Sequence, residues 1–226
     1  MEVDFGAVLA QRAYLLQGLG LTIEISLASI LLSFVLGIGV ALCRIAPLRP
    51  LHSLAGLYID VFRNTPFLVQ LFFFYYGLPE IGISTNPVVT GTLALSLAVA
   101  AGNAEIIRAG IETVDAGVIQ AARSFGLATF NVYRLVVLPI ALRTALRPLG
   151  SAFVNLVLTT SVLSSITVND LMGNAVNIAA DTFRPFEVYL VLLIAYCAMT
   201  FVVSGCVNGA HALLYSRLSE RPQLQG

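Results

Sequence analysis

Five stretches of this chain carry no charged side chain for close to the thickness of a lipid bilayer: residues 25–43, 64–79, 81–104, 148–169 and 188–216. A helix rises about 1.5 Å per residue, so about 20 apolar residues cross roughly 30 Å of hydrocarbon. Leu, Ile, Val and Ala fill these runs without polar-apolar alternation, which excludes the strands of a lipid-facing barrel. Composition agrees: 58% of residues are hydrophobic, 11% are charged and the mean hydropathy is +0.90, against roughly 25% charged in a soluble domain. The expected fold is an all-α membrane protein with about five transmembrane helices. Residues 135–142 are also apolar, and only Arg143 and Arg147 separate them from the fourth run. A sixth span is the alternative, but 132–159 reads as one long helix whose arginines snorkel to water.

The basic residues are all arginine, and they set an orientation. With the amino terminus outside and five spans, Arg44, Arg49, Arg63, Arg108, Arg123, Arg134, Arg143, Arg147, Arg217 and Arg221 lie on or near the cytoplasmic side, leaving Arg12 and Arg184 outside. One domain, 1–226, is expected: an extracytoplasmic amphipathic segment at 1–13, a helical core at 14–216 and a cytoplasmic tail at 217–226. The acidic start Met1-Glu2-Val3-Asp4 lacks the basic region and cleavage site of a signal peptide, so the first span is expected to stay. Cys43, Cys197 and Cys206 show no ligand spacing and read as small buried hydrophobes. His52 and His211 have no second ligand at metal spacing, so no metal site is expected.

This orientation puts residues 117–139 in the cytoplasm, between the third and fourth spans. Asp115 is placed to cap a helix beginning near Ala116, and Gly126 to end it with a positive φ. Such a helix is far too short to span. Val118, Ala121, Ala122 and Phe125 share one face, with Gln120, Arg123 and Ser124 at its sides. By periodicity alone that face suits equally a groove in another protein or the bilayer surface.

Spacing separates the two. Gln120-Ala121-Ala122, three residues, Gly126, nine residues, Val136, one residue, Leu138-Pro139 resembles the "EAA" signature of permease subunits of bacterial ATP-binding-cassette (ABC) importers. Arg63-Asn64-Thr65-Pro66, Gly77-Leu78-Pro79, Ala104-Glu105-Ile106 and Thr182-Phe183-Arg184-Pro185-Phe186-Glu187 narrow the resemblance to the polar amino acid permeases, the histidine- and glutamine-importer type, over about residues 14–216. Departures are specific: Gln120 stands where the family usually has Glu, and Leu158-Thr159 where it often has Lys-Asp or Lys-Asn.

The resemblance implies a bacterial inner-membrane subunit that catalyses no covalent step and forms a translocation path by alternating access. Implied partners are a second permease subunit, two ATPase subunits, an extracytoplasmic solute-binding protein, a polar amino acid or opine, and membrane lipid. It implies that Asp115, Gly117, Gln120, Ala121, Ala122, Gly126 and Pro139 form the ATPase-coupling segment. No cofactor is expected in this chain. The chain has no lysine and no Gly-x-x-x-x-Gly-Lys-Ser/Thr loop, so ATP and Mg would be bound by the partner ATPase. Neutral net charge argues against nucleic acid.

Asn155, Thr160, Ser161 and Ser164 make a polar patch late in the fourth run, followed by Asp170. They either bond neighbouring helices or line a substrate path in which Asp170 accepts an ammonium and hydroxyls donate to a carboxylate. Glu105 and Arg108, three apart, are placed to pair at a helix end. In Arg63-Asn64-Thr65-Pro66, Thr65 is placed to cap the helix that follows. The competing function is an ion-coupled secondary transporter, which would show repeated halves; none is visible. A membrane-embedded enzyme would need converging nucleophile, base or metal ligands.

Overall fold

The computed structural model describes residues 4–219. In chain order it has helices α1 (Gly6–Ala10), α2 (Arg12–Ile45), α3 (Arg49–Asn64), α4 (Phe67–Glu80), α5 (Pro87–Glu112), α6 (Ala116–Ser124) and α7 (Thr129–Val132). A π-helical turn, Tyr133–Val137, leads into α8 (Leu138–Thr159), a 3₁₀ segment (Thr160–Ile166), α9 (Leu171–Thr182) and α10 (Pro185–Ser219). Residues 1–3 of the expected amphipathic segment and 220–226 of the expected tail, with Arg221, lie outside the described residues.

Among the described residues, four continuous helical stretches are long and apolar enough to cross a bilayer: Arg12–Ile45, Pro87–Glu112, Thr129–Ile166 and Pro185–Leu213. The third contains the long arginine-bearing helix expected at 132–159. The uncharged run 64–79 instead forms α4, whose 14 residues reach about 21 Å. Pro66, with ψ at 137°, separates it from α3, and Pro79 lies in its last turn. Thr65 does not cap it; its hydroxyl donates to the Val61 carbonyl at 2.8 Å. The side-chain amide of Gln70 donates instead to the carbonyls of Phe62 and Thr65, both at 2.8 Å, so two C-terminal acceptors of α3 are satisfied from α4.

The core is an α2–α5–α8 assembly built on small residues. α2 buries Gly18, Thr22, Ser26, Ser29, Ser33, Gly37 and Ala41 at near four-residue spacing, a stripe that lets backbones approach closely where lipid supplies no hydrophobic drive. At Gly37 an added Cβ would stand 2.8 Å from that of Asn103, and at Gly110 of α5 one would stand 2.7 Å from the Ala141 carbonyl of α8. Asn103 donates to the Ser33 hydroxyl at 3.3 Å across the seam.

α1 and α9 cover one end of this assembly. Val8 of α1 packs with Leu171, Ile178, Val188 and Leu192. Arg184 holds Glu187 at 3.2 Å and Asp4 at 3.5 Å, and the Asp4 amide donates to Glu187 at 3.2 Å. By contrast, only 6% of the most apolar window of α10 is buried. Cys197 and Cys206 are exposed on that helix and Cys43 is half-buried, so the cysteines are not the core residues expected. An apolar sequence packs equally against lipid, and hydrophobicity alone does not separate lipid from core.

Candidate functional site

Local chemistry fixes the ends of α6. The Asp115 carboxylate accepts the Gly117 amide at 2.7 Å, and Gly126 takes φ +78° in the turn that follows. Gly117 has its own reason to be small, since a Cβ there would meet the capping oxygen at 2.8 Å. The helix leans on its own chain through Ala122 and Ile119, which join Ile111 and Val114 at the end of α5 and Val132 and Val137 below α8. Ala122 therefore does not belong to the outward face as expected. Val118, Gln120, Ala121, Arg123, Ser124 and Phe125 are exposed, Phe125 to 87%.

Phe130, 71% exposed, adds a second aromatic close by in sequence that the spacing did not single out. Its only sequence signal is an aromatic in the first turn after a glycine-ended helix. Pro139 is exposed at the start of α8. It lacks the N–H that would complete an α-helical bond, and the π-helical turn Tyr133–Val137 stands immediately before it, which is how a helix absorbs an interrupted ladder. Before α6, in the last turns of α5, Arg108 pairs with Glu105 at 2.9 Å and also contacts Glu112. The expected Glu105–Arg108 pair is thus part of a three-residue network at the end of α5.

The five residues expected on a substrate path are not gathered at one site. Asn155 lines a polar cavity of about 430 Å³ between α8 and α10, with Arg147, Ser151, Ser204 and Asn208. Ser161 lines a different one with Met172, Tyr189 and Tyr196. The hydroxyls of Thr160, Ser161 and Ser164 donate to Val157, Leu158 and Ser161 carbonyls at 2.7, 2.7 and 2.8 Å, the back-bonding common to helical Ser and Thr. Asp170 is fully buried and caps α9, accepting the Gly173 amide at 2.8 Å. Burial pushes its carboxyl above the usual range. Among the described residues its second oxygen, the side-chain amide oxygen of Asn174 and the Tyr196 hydroxyl have no hydrogen-bond partner. Thr167, at φ 63°, makes the turn into this cap.

Membrane-length helices that seat one short, capped helix at their ends and leave its outer face bare define a membrane protein with a surface open to a partner. The comparisons give that class a family. A family model matches residues 16–220, and the chain belongs to the family of the binding-protein-dependent transport system inner membrane component. The nopaline transport system permease protein NocM of Agrobacterium fabrum (strain C58 / ATCC 33970) is 38% identical over 215 residues, 91% of this chain and 89% of NocM. The probable glutamine ABC transporter permease protein GlnM of Bacillus subtilis (strain 168) is 39% identical over 176 residues, 78% of this chain and 82% of GlnM. A crystal structure of an amino acid ABC transporter with histidines superposes with a TM-score of 0.84 at 33% identity, over 93% of this chain and 99% of that one. The methionine ABC transporter MetNI, in an inward-facing form, shares the fold with a TM-score of 0.78 at 17% identity, over 91% and 98%. The chain is a transport permease subunit with an all-helical membrane fold.

Proposed function

We propose that this chain is one of two membrane halves of an ABC importer for polar amino acids or related opines, with ATP and Mg bound by separate ATPase subunits. The observation that carries the reading is α6: capped at Asp115, turned at Gly126, seated by Ala122 and presenting Val118 and Ala121 outward, with Phe125 at its end and Phe130 on α7 exposed beside it in sequence. An exposed aromatic at the end of a pre-ordered helix, with a second in the next helical turn, is suited to a partner's groove, because little ordering entropy remains to be lost on docking. Gln120 supplies a neutral amide where related permeases usually carry a carboxylate, so shape and apolar contact hold this joint rather than an ion pair.

A push on α6 reaches the core by contact. Ala122 and Ile119 cluster with Val114, just past α5, and with Val132 and Val137, just before α8, and α5 and α8 approach closely at Gly110, where a Cβ would stand 2.7 Å from the Ala141 carbonyl. Closure of two ATPases would move these ends together and open the path outward, and hydrolysis would reverse it. With α4 as a short fifth crossing beside the four long helices, the amino terminus lies outside a bacterial inner membrane and the carboxyl terminus in the cytoplasm, in line with the arginine distribution. The bare flank of α10 is left for lipid or the second permease subunit, and a solute-binding protein delivers substrate from outside. Asn155, with Arg147, Ser151, Ser204 and Asn208 around it, offers amides, hydroxyls and a cation suited to a carboxylate-bearing solute.

Reconstitution tests this. Proteoliposomes holding the permease with its ATPase are expected to take up amino acid only with ATP supplied on the ATPase side. Uptake driven by an ion gradient without the ATPase would instead mark a secondary transporter.

A further inference from the structure

Where α2 turns into α3 there is an apolar crevice of about 370 Å³, lined by Val35, Leu36, Val40, Leu51 and Leu54 over Gly39. Among the described residues nothing stands within 4 Å of the place a Cβ of Gly39 would occupy, so the absent side chain helps leave the crevice open. Val35 and Leu54 are more than half exposed along it. Two cations adjoin the crevice walls in sequence: Arg44 follows Cys43 of the wall, and Arg49 is two residues before Leu51. Among the described residues neither Arg44 nor Arg49 forms an ion pair. Arg44 instead contacts the His52 ring and lies along Gly56, where a Cβ would meet its guanidinium at 3.4 Å. Beside it is a second cavity of about 360 Å³, bordered by Arg44, His52, Arg108 and Glu112. Arg108 is shared between Glu105 and Glu112, a trio with one net negative charge that Arg44 of the same wall balances, so Arg49 supplies the surplus positive charge at this corner.

An uncharged acyl chain has no use for two unpaired guanidinium groups, and a soluble anion has none for an apolar crevice. A molecule with both parts satisfies both. We propose that this corner binds a phospholipid with an anionic headgroup, one acyl chain in the crevice over Gly39 and the phosphate on Arg44 and Arg49, as basic pockets between membrane helices do. Guanidinium recognises phosphate with two parallel donors; the His52 ring takes one N–H of Arg44, leaving further donors on each guanidinium that a carboxylate would otherwise occupy.

Native mass spectrometry of the full-length permease, in the complex in which it purifies, tests the site with phosphatidylglycerol and phosphatidylcholine of identical chains. Wild-type protein is expected to retain phosphatidylglycerol at several-fold higher occupancy. Arg44→Gln with Arg49→Gln is expected to reduce it to the phosphatidylcholine level, and Gly39→Leu, which fills the crevice, to lower retention of both lipids. Helicity measured by circular dichroism confirms that each variant is folded; if the double variant is not, Arg49→Gln alone is read, with about half the preference lost. Equal retention of the two lipids by wild type, or unchanged retention in folded variants, overturns the proposal. Complete displacement of phosphatidylglycerol by millimolar inorganic phosphate overturns it too, as the mark of a soluble-anion site.

Discussion

At Gly126 the backbone takes φ +78°, a conformation that costs an L side chain about 1–2 kcal/mol, more if it is β-branched. Gly126→Val is therefore expected to misplace the turn after α6 and reduce ATPase co-purification several-fold, while Gly126→Asn, which tolerates that region, retains most of it. Asp115→Ala removes the cap on Gly117 and is expected to cost about 1 kcal/mol of local stability, read as faster amide exchange in α6; Asp115→Asn restores protection. Asp170 answers a different question. Its burial and its bond to Gly173 give it an architectural task, so Asp170→Asn, which keeps the accepting oxygen, is expected to leave folding and uptake near wild type, and Asp170→Ala to lower thermal stability. A tenfold fall in uptake by well-folded Asp170→Asn protein would return this residue to the substrate path.

On the element scale, α6 was readable because its ends are written locally, in a capping aspartate and a glycine. Which of its faces meets its own chain was not. Periodicity groups Val118, Ala121, Ala122 and Phe125, but whether a face meets core or partner depends on α5 and α8, far away in sequence. The two sides separate experimentally: Ala121→Asp is expected to weaken ATPase binding at least about tenfold with the permease intact, and Ala122→Asp, which buries a charge against Val114 and Val132, to destabilise the permease itself by about 3 kcal/mol or more. The hydroxyl patch at 160–164 misleads for a related reason. A list of Ser and Thr does not show that each hydroxyl is already bonded to a carbonyl three residues back. Likewise an uncharged run ends where a charge appears, whereas α4 begins at the break made by Pro66, and so is shorter than its run.

For the whole molecule, the membrane class and helical fold followed directly from the uncharged runs, because lipid demands that each backbone polar group be bonded within its own helix. The close packing of α2 on α5 was less visible, since small residues carry no hydropathy signal. Gly37→Leu, placed against Asn103, is expected to cost 1–3 kcal/mol and to lower the melting temperature of the purified permease by several degrees. The central claim is that α6 passes the work of a partner ATPase into this bundle. Its most direct measurement is ATP-driven amino acid uptake into proteoliposomes holding the ATPase with either wild-type permease or the Ala121→Asp/Phe125→Ala variant, with membrane insertion matched. Uptake that requires ATP and falls at least about tenfold in the variant is the predicted result; equal ATP-driven uptake by both proteins would contradict it.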